Sequence, residues 1–85
     1  MTRITKLYDR LRNERRRLTF AEFCALLEAF HFTHRRTIGS HRVYVRDDID
    51  EQLNIQPRGK DAKPYQAKQF LAMIDAHALT LDRDA

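Results

Sequence analysis

The chain has 85 residues, 42 % hydrophobic and 33 % charged, with 16 Lys and Arg against 12 Asp and Glu for a formal charge of +4. A chain of this size buries only about 60–65 % of its unfolded surface, so the expectation is one soluble domain, 1–85, around one modest core. A single cysteine, Cys24, excludes an internal disulfide and a multi-cysteine metal site; the basic balance favours a polyanion, nucleic acid ahead of an anionic membrane surface.

No apolar run reaches the ~20 residues of a membrane span, and no signal-peptide pattern opens the chain, so the expected compartment is the cytoplasm. Residues 1–17 read as a leading helix and basic linker, 18–80 as the core and 81–85 as a polar tail. Ile4, Leu7, Tyr8 and Leu11 recur at i, i+3, i+4 and i+7, one apolar stripe of a short helix. "RNERRR" (12–17) follows, either the solvated end of that helix or a phosphate-binding run.

The next helix is predicted over 20–30. Thr19 stands as N-cap with Glu22 three residues on, and Leu18 and Phe23 occupy the two positions of a hydrophobic staple. Phe20, Phe23, Cys24, Leu27 and Phe30 repeat at helical spacing as its buried face. Three strand-like segments come next. "HFTHRRTI" (31–38) ends at the turn residues Gly39 and Ser40. "HRVYVRD" (41–47) alternates, which sets Val43 and Val45 on the covered face and Arg42, Tyr44 and Arg46 on the polar one. "DIDE" is read as a turn, and "QLNIQP" (52–57) alternates again, with Leu53 and Ile55 inward. "RGKDAK" (58–63) reads as a basic loop. Pro64 then opens a last helix with Ala67, Phe70, Leu71, Ile74 and Ala78 as its stripe. The fold class is therefore α+β: two helices covering one face of a three-stranded antiparallel sheet in the order α-β-β-β-α, behind a short N-terminal helix.

Of four histidines, His31 and His77 sit at helix C-termini and His34 within the first strand; none forms a metal-ligand spacing, and neither metal nor cofactor is expected. His41 differs. It follows a tight turn, where strand pairing would hold an imidazole accessible at the sheet's rim. Arg35 and Arg36 across the hairpin, Arg42 and Tyr44 beside it, and the 58–63 loop are expected within reach. Cations around an imidazole favour its neutral, proton-accepting form. On these residues alone a turn-adjacent structural histidine is the leading reading and a catalytic one the second. Arg58, Lys60, Lys63 and Lys68 surround a predicted helix N-terminus, whose free N–H groups and dipole also favour phosphate.

In this order, "FAEFCALLEAFHF", "RRTIGSHRVYV" and "LNIQPRGKDAKPYQAKQFLAMID" resemble the HicA toxins of bacterial toxin–antitoxin pairs, over roughly residues 5–80. The resemblance implies a fold like a double-stranded-RNA-binding domain and an activity as a messenger-RNA endonuclease, an mRNA interferase. It places the catalytic histidine at His41, behind Gly39 and Ser40. It also implies a HicB-type antitoxin as the partner that covers the active site. Two positions depart from the pattern: His31 stands where many members have glycine, and Arg58 where some have histidine. Two other readings compete: a catalytically silent RNA- or DNA-binding module of the same fold, and a protein-interaction domain whose basic face meets an acidic partner.

Overall fold

The computed structural model describes residues 3–13 and 17–81; residues 14–16 of the predicted linker and 82–85 of the predicted tail lie outside them. The leading helix, α1 (Arg3–Arg12), buries Leu7 and Leu11, with Ile4 and Tyr8 partly covered beside them. Tyr8 meets Phe30 edge-on at 5.3 Å. Arg12 donates to both carboxylate oxygens of Asp75, at 3.1 and 2.8 Å, and to the Tyr8 hydroxyl. This helix belongs to the domain's core rather than standing apart from it.

The second helix, α2 (Phe20–Ala29), begins as its residues predict. Thr19 Oγ1 accepts from the Glu22 N–H at 3.1 Å, and Glu22 Oε1 accepts from the Thr19 N–H at 2.9 Å. That backbone N–H holds the Glu22 carboxyl below its ordinary pKa. The helix ends in a Schellman motif: His31 takes φ +68 and donates to the Glu28 carbonyl, while Phe32 donates to that of Leu27. Glycine is the residue best suited to that left-handed position, which explains physically where His31 departs from the family pattern.

The strands β1 (Thr33–Ile38), β2 (His41–Arg46) and β3 (Ile49–Ile55) form one antiparallel sheet in the order β1-β2-β3. Two expectations are corrected here. The chain turns at Asp47 and Asp48, and Ile49 already belongs to β3 as a buried residue; "DIDE" is not the turn. Tyr44 pairs with Leu53 and Arg46 with Ile49, so β3 carries extra residues opposite β2, and its burial does not alternate strictly. The faces of β2 are also the reverse of those predicted. Tyr44, 1 % exposed, joins Leu53 and Ile55 in the helix-side core, and Val43 is buried but outside that cluster. Arg42 and Arg46 share the face of Tyr44 because their stems cover apolar neighbours while the guanidinium groups reach polar ones. Arg42 lies 5.3 Å over the Phe20 ring, and Arg46 donates to the Phe30 carbonyl at 2.9 Å.

The "RGKDAK" loop is itself a small hairpin, β4 (Pro57–Arg58) with β5 (Asp61–Ala62), turning at Gly59, whose φ is +62. Phe20 donates to the Lys60 carbonyl and Ala62 to that of Leu18, which stitches this hairpin to the start of α2. The last helix, α3 (Pro64–His77), buries Gln66, Phe70, Met73 and Ile74. Phe23, Phe30 and Phe32 meet Phe70 edge-on at 5.8, 5.4 and 6.0 Å. Such pairs add roughly 0.5–1.5 kcal/mol each beyond area burial. The result is an α+β domain with its three helices on one side of the sheet, the arrangement of a double-stranded-RNA-binding domain with an inserted hairpin.

Candidate active site

His41 opens β2 and pairs with Ile38 across the two-residue Gly39–Ser40 turn. Gly39 takes φ +60, while Ser40 keeps a negative φ, the signs of a type II′ turn. No atom lies within 4 Å of where a Cβ on Gly39 would stand, so backbone conformation rather than space requires glycine there. Residues paired in an antiparallel ladder share a face. Ile38, His41, Val43 and the Arg36 that pairs with Val43 therefore all lie on the sheet face away from the helices. His41 is half-buried, and its imidazole makes no hydrogen bond or ion pair among the described residues.

The cations expected around it divide. Arg36 is exposed on the same face, diagonal to His41, and Arg35 is the exposed bulge residue between His34 and Arg36. Arg42 is on the opposite face, against Phe20, with Nη1 3.7 Å from Cys24 Sγ. Tyr44 is likewise in the core, where burial pushes its phenol up to about 12. Arg58 and Lys60 are exposed on the β4–β5 hairpin. Lys68 lines, with Arg17, a groove of about 460 Å³ between α1, α2 and α3 rather than the His41 face.

Lys63 reaches the site through a residue that sequence reasoning passed over. Gln66, 2 % exposed, accepts from the Gln56 N–H at 3.0 Å and donates to the Asn54 carbonyl at 3.2 Å. These are the two outward bonds that a further strand would make, so the edge of β3 is sealed and extended conformation runs on to Gln56. Arg42 and Ile55 are the last pair of that register, so His41 and Gln56 each stand one residue past it, at the same end of the sheet. The Gln56 side chain accepts from Lys63 Nζ at 3.1 Å. Lys63 is the N-cap of α3; it makes no side-chain cap bond, while its carbonyl accepts from the Gln66 and Ala67 N–H groups.

The family model for the HicA toxin of bacterial toxin–antitoxin pairs matches residues 20–76, well over half of the chain. The chain belongs to that family. No curated protein and no solved structure gives a significant match. The matched span of this HicA-family toxin runs from the first residue of α2 almost to the end of α3, and it includes the Gly39–Ser40–His41 turn. A toxin of this kind has a cognate antitoxin as its implied partner. Among the described residues no three His, Cys, Asp or Glu side chains gather as a metal-ligand set, and no helix is long and apolar enough to cross a membrane. Gln66 was hidden in the sequence because a polar side chain in an apolar stripe reads as an interruption, and Gln56 because it follows Gln52 and Asn54 on the polar side of an alternating strand. The signal was the position of Gln66, four residues before Phe70 on the buried stripe of α3.

Proposed function

We propose that this HicA-family toxin is an endoribonuclease that cuts messenger RNA, with His41 as general base. The observation that carries the reading is the placement of His41: half-buried at the sheet's rim, directly behind a type II′ turn, and bonded to no described side chain. An imidazole so held is available to a substrate. RNA carries its own nucleophile, the ribose 2′-OH. His41 takes the proton of that hydroxyl as its oxygen attacks the adjacent phosphorus, and the bond to the 5′-oxygen breaks as that oxygen is protonated. The products are a 2′,3′-cyclic phosphate and a 5′-hydroxyl end, and no metal enters the step. Positioned general-base help contributes typically about 10²–10⁴-fold.

Arg35 and Arg36 stabilise charge on the phosphorane-like transition state, a task suited to fixed cations. Arg58, Lys60 and Lys63 hold the flanking phosphates, whereas Arg42, against Phe20 on the other face, and Lys68, in the groove between the helices, lie away from them. The HicB-type antitoxin inhibits by covering His41. Incubating the purified chain with labelled RNA in EDTA tests the reading. Cleavage leaving cyclic phosphate ends, and lost when the scissile 2′-OH is replaced by hydrogen, is expected. A mobility shift without cleavage would leave only a binding module.

A further inference from the structure

Among the described residues two large apolar side chains are exposed, Ile38 at 58 % and Tyr65 at 63 %. Single exposed apolar residues are ordinary on a protein surface. These two, however, lie at the end of the sheet where His41 stands. Ile38 is the ladder partner of His41 on β1. Just past the end of β3, Gln56 accepts from Lys63 Nζ, and that ammonium lies over the Tyr65 ring, 6.0 Å from its centroid. Ile38, His41, Gln56, Lys63 and Tyr65 therefore gather at one end of the sheet, where β1 ends, β2 begins and β3 has just ended.

Tyr65 is also fixed in place. It occupies the first turn of α3 behind Pro64, and its hydroxyl accepts from the Gln66 amide at 3.3 Å. The same amide is bonded to the end of β3. With a backbone in a helix, a tethered hydroxyl and an ammonium over one face, the ring loses little conformational freedom when something stacks on its other face. Aromatic rings presented in this way bind the splayed bases of single-stranded RNA.

We propose that Tyr65 and Ile38 are base-binding walls at the His41 end of the sheet. Tyr65 stacks one nucleobase and Ile38 packs against the neighbouring one, which sets the phosphodiester between them over the imidazole. This rests on the ribonuclease reading for its purpose but concerns binding alone. The probe is a short single-stranded RNA, 2′-O-methylated throughout so that it cannot be cut, beside a version of the same backbone without bases. Wild-type protein binds the base-bearing strand more tightly than the abasic one. Tyr65→Ala weakens binding of the base-bearing strand about 5- to 100-fold and leaves the abasic strand unchanged; Tyr65→Phe keeps most of the affinity, and Ile38→Ala loses a smaller part. Equal binding of the two strands by wild type, or Tyr65→Ala binding the base-bearing strand as wild type does, overturns the proposal. The two failures are separable. Base-dependent binding by a protein that cuts no RNA would remove the nuclease and keep the walls. Unchanged binding by Tyr65→Ala beside His41-dependent cleavage would do the reverse.

Discussion

Ile38 and His41 are the last pair of the β1–β2 ladder, and Gly39 and Ser40 alone connect them. The turn that joins them depends on one left-handed torsion, the φ of +60 at Gly39. Gly39→Ala meets no steric obstacle, so its whole effect is conformational. It is expected to cost about 1–2 kcal/mol in urea unfolding and to lower RNA cleavage in protein that remains folded. Unchanged stability would mean that the turn relaxes freely and does not aim His41.

His31 carries the same kind of strain with no functional return. At φ +68 it holds the left-handed position of the α2 cap, so His31→Gly removes a penalty of about 1–2 kcal/mol, offset in part by the greater freedom of glycine in the unfolded chain. A net gain of roughly 0.5–1 kcal/mol is expected, read as a Tm rise of a few degrees, with cleavage unaltered. A lower Tm would show that the His31 side chain contributes more than its backbone strain costs.

Tyr44 gives the domain an alkaline limit. Burial raises its folded pKa to about 12 from the ordinary 10.0. A raised value means that the folded state favours the neutral phenol: this stability is fully present below pH 10 and is lost as pH rises from 10 towards 12. Tyr44→Phe should remove the last step of the phenolate absorbance titration and flatten stability across that window. Persistence of the late step in the variant would assign it elsewhere.

Arg36 is exposed on the face of His41 and bonded to no described side chain. If it contacts a phosphate of single-stranded RNA, Arg36→Ala lowers affinity and reduces the log–log salt slope by about 0.7. An affinity loss with the slope unchanged would point to some other role.

The helices were legible because their signals are local. The Thr19–Glu22 capping box and the Leu7–Leu11 and Phe70–Ile74 spacings each act within a few residues, and the structure keeps them. The Gly39–Ser40 turn, and hence the position of His41, could be read for the same reason. The sheet faces could not. Apolar Val43 and Val45 outweighed Tyr44 in a period-two reading, yet pairing with Leu53 decides which residue meets the helices, and that partner lies on another strand. The bulges at Arg35 and in β3 shift the period in ways that composition does not reveal. The β4–β5 hairpin hid behind its charges, although Gly59 marked its turn as Gly39 marks the other. The link from Gln66 to Gln56 and the end of β3 exists only once α3 lies along β3.

The most direct measurement is the single-turnover rate of RNA cleavage by His41→Ala beside wild type, with circular dichroism and affinity for uncuttable RNA as controls. The account predicts a rate reduced at least about 100-fold in a protein that folds and binds as wild type does. Cleavage at the wild-type rate would contradict it and move the chemistry to another residue.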